Sequence, residues 1–125
     1  MNPGMAEGQN RLGLELDEDK QEGWALRNLR KAYQLEPSES SYAMDFVSRE
    51  YLYNRNQQAL GPAKKFGKLK PLDEFAFLLL HRVAYNNNDC ALAVPAYERM
   101  EDIRDMRKYT GGKVEELEAS NYNKG

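Results

Sequence analysis

Apolar residues recur along the chain at helical spacings. Between Trp24 and Leu35, Ala25, Leu29, Ala32 and Leu35 follow at intervals of four, three and three, which aligns them on one face of an α-helix. Phe46, Val47, Glu50, Tyr51 and Asn54 form a weaker stripe of the same period. Phe75 to Ala84 is apolar on nearly every side, which predicts a helix held between two neighbours. No segment sustains a period of two, and glycine and proline stand mostly between the periodic segments, so strands are not expected. The longest apolar block, Phe75 to Leu80, has six residues, against the roughly 20 that a membrane-spanning helix needs.

A longer period overlies the helical one. Ala25, Ala59 and Ala93 are spaced by 34 residues, as are Pro37 and Pro71. Each of these prolines follows a helical segment, where a residue unable to continue a helix is well placed. The repeat divides the chain into hairpins at about 6–39, 40–73 and 74–107, with polar turns at 17–22, 54–56 and 86–89. Asn86 to Asp89 is the clearest turn, and Asp89 is a natural cap for the helix that follows. Pro62 and Pro95 fall where second helices should already have begun. Since an interior proline costs about 3 kcal/mol, those helices are expected to start late, near Gly61 and Leu92. An irregular helical bundle is the alternative arrangement.

These positions resemble the tetratricopeptide repeat family. Leu12, Gly13 and Leu16, then Ala25, Leu29, Ala32 and Pro37, match its pattern in the first repeat. The second keeps Phe46, Ala59 and Pro71, but has Val47 where glycine is usual and exchanges sizes at Ala63 and Phe66. The third keeps Leu80, Ala84, Ala93 and Tyr97, with His81 at the glycine position, Met100 for alanine and Asp105 for the closing proline. Small residues permit close helix approach, so Val47 and His81 predict looser crossings. The resemblance implies an all-α fold, three such hairpins stacked as a short right-handed solenoid over 1–110, with a flexible tail over 111–125 that holds a short helix at most.

Composition narrows the function classes. Apolar residues are 41% and charged residues 30% of the chain, a balance suited to a folded domain. The net charge of -2 lacks the basic footprint of nucleic-acid binding. Lys64, Lys65, Lys68 and Lys70 read as a solvated helix face, and Asp73 and Glu74 follow them. Cys90 is the only cysteine, so no internal disulfide forms, and a buried thiol in a cytoplasmic chain is expected. His81 reads as a packed or interfacial residue. With one histidine and one cysteine there is no donor set for a transition metal. Glu15, Asp17, Glu18 and Asp19 do not follow the calcium-loop pattern, and Gly111 and Gly112 are not followed by a phosphate-binding Lys-Ser or Lys-Thr. No catalytic residues, metal or cofactor are therefore expected, and an enzyme is the least favoured reading.

The family's geometry lines a concave groove with the first helix of each repeat. Its register implies that Asn10, Leu14 and Asp17, then Met44, Ser48 and Tyr51, then Leu78, Arg82 and Tyr85, face a protein or peptide partner. The competing reading of such aromatics is core. The family's clamp for acidic chaperone tails is absent, because Asn10, Leu14, Ser48, Phe75 and Leu79 stand where its Lys, Asn and Arg would be. The expected function is an interaction module, either an adaptor or a small chaperone, binding a partly apolar segment. A self-associating structural fragment, forming a weak homo-oligomer, is the alternative. Neither nucleic acid nor membrane is an expected partner.

Overall fold

The computed structural model describes residues 3–110, with side chains over 4–109. The hinge expected at Gly111 and Gly112 and the tail after it lie outside the described residues. Among these there are six helices and no strand: α1 (Pro3–Glu18), α2 (Glu22–Leu35), α3 (Ser40–Leu52), α4 (Asn56–Leu69), α5 (Glu74–Asn86) and α6 (Cys90–Thr110).

The 34-residue period is written into the turns as well as the stripes. Lys20, Asn54 and Asn88 adopt left-handed backbone angles, with φ of 62°, 61° and 59°. The next residue in each turn donates its N–H back to Leu16, Glu50 or Ala84, at 2.8, 2.7 and 2.9 Å. Each first helix thus ends in the same reversal, whose backbone bond satisfies a carbonyl of its last turn. α2 and α4 start without a side-chain cap, whereas the first helices α3 and α5 are capped by an acid. The side chain of Glu39 accepts from the N–H of Ser41, and Asp73 Oδ1 accepts from Phe75 and Ala76 at 2.9 and 3.3 Å. Asp89 caps α6 by accepting from Leu92 at 3.2 Å.

Packing is sequential. Each helix lies against its chain neighbour, α3 also meets α1 and α5, and among the described residues the backbones of the second helices do not approach one another closely. α1 does not touch α5 or α6, so the helices do not close around a common centre. Ten of the 20 buried apolar residues are alanines, Ala25, Ala59 and Ala93 among them, so much of the burial comes from helix backbones approaching closely. Larger side chains fill what remains. Val47, Phe66, Leu79, Leu80 and Val83 join α3 to α6 in one cluster, and Leu26, Leu29 and Phe46 join α2 to α3 in another. Tyr33 packs against both.

Two expectations need correction. α4 begins at Asn56 and α6 at Cys90, so Pro62 and Pro95 lie inside their helices. The bond that each proline withholds would run to the carbonyl four residues earlier, at Gln58 or Ala91. Both residues are exposed, so solvent can hydrate the freed oxygen and the helix need not start later. The third hairpin also stays close despite His81. Its ring turns aside, with Nδ1 2.9 Å from the Ala93 carbonyl oxygen, and lies between Tyr85 and Tyr97. The second hairpin, with Val47, is the looser one.

A β-carbon on Gly13 would lie 2.7 Å from Leu29 Cγ and 3.1 Å from the Ala25 carbonyl oxygen, whereas one on Gly67 would meet nothing nearer than Phe77 at 3.6 Å. Gly13→Ala should therefore lower the unfolding free energy by about 1–3 kcal/mol through overpacking. Gly67→Ala should raise it by roughly 0.5–1 kcal/mol through helix propensity. Urea denaturation of the two variants checks the opposite signs. Lys20→Gly, which removes the steric cost of a left-handed lysine, should add about 1 kcal/mol in the same assay.

Candidate protein-binding surface

α1, α3 and α5 form one wall, and the residues that register assigns to the groove divide on it into two kinds. Those near α1 are committed to holding helices together. Asn10 Nδ2 donates to Asp45 Oδ2 at 3.1 Å, and Arg49 Nε donates to Asp17 Oδ2 at 3.1 Å, so both pairs tie α1 to α3. Ser48 is turned inward. It is 9% exposed, donates to the Asp45 carbonyl at 3.1 Å and accepts from Arg49 Nη1 at 3.0 Å. A short side chain one helical turn past Asp45 reaches back to the backbone more readily than outward. Leu14 packs against the Leu26, Leu29 and Phe46 cluster.

Toward α5 the wall is more open. Met44 and Tyr51 rest on the core with part of their surface free, and the Arg82 guanidinium stands 6.0 Å over the Tyr51 ring. Leu78 is half-buried, Arg82 is exposed, and Tyr85 is 66% exposed. Leu52, at the end of α3, is 63% exposed and was not among the register's candidates. Cys90 is exposed, correcting the expectation of a buried thiol, because it opens α6 beside the turn.

The backbones of the second helices stand apart, and a cleft opens at each junction on their side. The first is an open groove of about 400 Å³ lined by Arg30, Tyr33 and Gln34 of α2, Phe46 and Glu50 of α3, and Gln58 and Pro62 of α4. The second, equally open, has about 410 Å³. Adding 34 to Arg30, Tyr33, Gln34, Phe46 and Gln58 gives Lys64, Gly67, Lys68, Leu80 and Leu92, all of which line the second cleft. The clefts are therefore the same place in successive repeats. Their chemistry differs. Tyr33 stacks on Phe46 at 5.6 Å in the first, while Gly67 leaves its place to Phe77 in the second.

Glu50 lies at the floor of the first cleft, 1% exposed, and its Oε1 has no hydrogen-bond partner among the described residues. Burial pushes its carboxyl from the ordinary 4.5 up to about 7, against the opposing pull of Arg30 and Arg55. Burial, and then the charge of Glu50, raise the Tyr33 hydroxyl in turn. Sequence reasoning counted Glu50 only as part of a weak stripe. The available signal was the repeat itself, because the positions 34 residues before and after it hold Leu16 and Ala84.

Among the described residues no group of three or more His, Cys, Asp or Glu side chains is placed to hold a metal ion, and no helix is long and apolar enough to cross a membrane. No protein-family model and no curated protein matches the chain.

The folded protein holds the Glu50 proton more tightly than the unfolded chain does. As pH rises from about 4.5 to about 7 the unfolded state loses that proton first, so this group's contribution to stability falls across the window and then levels off. The loss is on the order of 3 kcal/mol. Glu50→Gln should flatten the slope between pH 5 and pH 8 in urea denaturation. An unchanged slope would place the titration elsewhere.

Proposed function

We propose that the chain is a protein-interaction module of three tetratricopeptide-like hairpins stacked as a short right-handed solenoid. It holds a partly apolar peptide or protein segment on the α1, α3 and α5 wall. The observation that carries this reading is the contrast along that wall. Its α1 end spends its polar side chains on cross-repeat bonds, whereas its α5 end leaves Tyr85 66% exposed beside Arg82. An exposed tyrosine contributes little to the core, and tyrosine with arginine is the pairing enriched where interfaces concentrate their energy. The stepwise contacts from α1 to α3 and α3 to α5 support the stacked arrangement, and the left-handed turn residue at a 34-residue spacing supports the likeness to the family. The contact surface is centred on Met44, Tyr51, Leu78, Arg82 and Tyr85, with Asn10, Leu14, Asp17 and Ser48 shaping its far end. The thin inventory of acid, base and nucleophile groups favours binding over turnover.

A second reading, self-association, draws on the first hairpin, where Met5, Leu12 and Trp24 are 53%, 46% and 58% exposed. Exposed apolar side chains on this hairpin would be covered by stacking on another copy. Sedimentation velocity over a concentration series separates the two, since only self-association increases the mass.

Peptides selected from a displayed library with the full chain should bind with an affinity that Tyr85→Ala lowers about tenfold, the scale of one interface anchor. Isothermal calorimetry reads the affinity, and a circular dichroism melt of the variant should match the parent. Selected peptides indifferent to both Tyr85→Ala and Arg82→Ala would overturn this placement of the site.

A further inference from the structure

The second cleft, between α4, α5 and α6, leaves its charges unbalanced. Lys64 and Lys68 stand one turn apart on α4, both exposed and both at the edge of the cleft. Neither has an ion-pair partner among the described residues. The acids that follow them in the chain are committed elsewhere. Asp73 caps α5, and Glu74 pairs with Arg104 and Arg107 of α6. Arg99 adds positive charge on the far side, with its guanidinium 6.0 Å over the Phe77 ring and a bond donated to the Pro71 carbonyl at 3.0 Å. Among the described residues no acid lines the cleft.

Below the lysines the surface is apolar. Gly67, Pro71, Phe77, Leu80 and Leu92 form it, and Phe77 and Leu92 are only partly buried. The first cleft is furnished differently at the equivalent positions. Tyr33 stands there in place of Gly67, Gln34 in place of Lys68, and Glu50 in place of Ala84, so the cation Arg30 has an acid to act on. Only the second cleft joins bare apolar surface to two unanswered lysines. An open groove covers one face of what it holds, whereas small-molecule sites enclose most of their ligand. A chain segment suits such a groove, because its far side can stay in water. Alternate residues of an extended segment are roughly 7 Å apart, close to the roughly 6 Å of one helical turn between the lysines.

We propose that the second cleft is a docking site distinct from the α1, α3 and α5 wall, taking an extended partner segment in which leucine-type and acidic residues alternate. The apolar side chains settle on Phe77, Leu80 and Leu92, and two carboxylates lie against the ammonium groups of Lys64 and Lys68. The first cleft, with Glu50 and a single lining cation, serves as an internal control.

The test is an amide-detected NMR titration of the full chain with three peptides, acetyl-Leu-Glu-Leu-Glu-amide, its Gln-for-Glu counterpart and its Ala-for-Leu counterpart. The expected result is saturable shifts clustered at 64–70, 77–80 and 91–93 for the first peptide. Each counterpart should bind at least threefold more weakly, and added salt should erode the preference for Glu over Gln. Lys64→Gln combined with Lys68→Gln should abolish that preference while the circular dichroism melt matches the parent. Equal affinities for the Glu and Gln peptides in the parent protein would overturn the proposal without any variant, as would shifts confined to the first cleft or no shifts at all. Tighter binding of octanoate at the same amides would assign the cleft to a small amphiphile and overturn it too. Tyr85→Ala should leave this binding unchanged, so failure here and failure of the first-helix surface are separate outcomes.

Discussion

Close approach of helix backbones at alanine and glycine positions is the constraint on which this structure depends. Buried Ala25, Ala59 and Ala93 bring each second helix against its first, and Gly13 leaves no room for even a β-carbon beside Leu29. Helices packed at such range need tight, reproducible turns, and the left-handed residues Lys20, Asn54 and Asn88 provide them. Neither feature would suffice alone. Short turns without small residues would force the helices apart, and small residues without the turn would leave their register undefined.

The same constraint produces two different surfaces. First helices touch across repeats, so their wall is continuous and can carry polar ties such as Asp17 to Arg49 and Asn10 to Asp45. Second helices stand apart, and the gap between them is a cleft at each junction. Each cleft is then shaped by local exchanges of size. Tyr33 with Ala43 in one corresponds to Gly67 with Phe77 in the next, so a ring is present in both but hangs from opposite helices. Lys65 over Tyr33 and Arg99 over Phe77 follow the same 34-residue relation, each cation accompanying its ring.

Charge follows a similar division. Glu74 draws Arg104 and Arg107 onto itself, and these hydrogen bonds hold its carboxyl below the usual carboxylate range and fasten the far half of α6 to the start of α5. Glu50 meets the opposite fate, with its proton held by burial and no bond to offset the enclosure. One acid reinforces the stack at its edge. The other is a local cost within it, and a repeat unit can carry such a cost because each unit rests mainly on its immediate neighbours.

Several features were settled by the sequence alone: the helical class, the approximate turn positions and the cap at Asp89. They were legible because they depend on interactions between residues close in the chain, repeated three times. Tertiary structure decided what lies between repeats. Register could place Ser48 on a helix face but not show that its hydroxyl would turn back to Asp45, nor that Pro62 and Pro95 would be tolerated beside solvent-exposed carbonyls. It could not show that Glu50 would be sealed beneath Tyr33 and Phe46, because that depends on how far apart α2 and α4 stand. Distances between helices are the sum of many side-chain volumes from distant parts of the chain, and no single stripe records that sum.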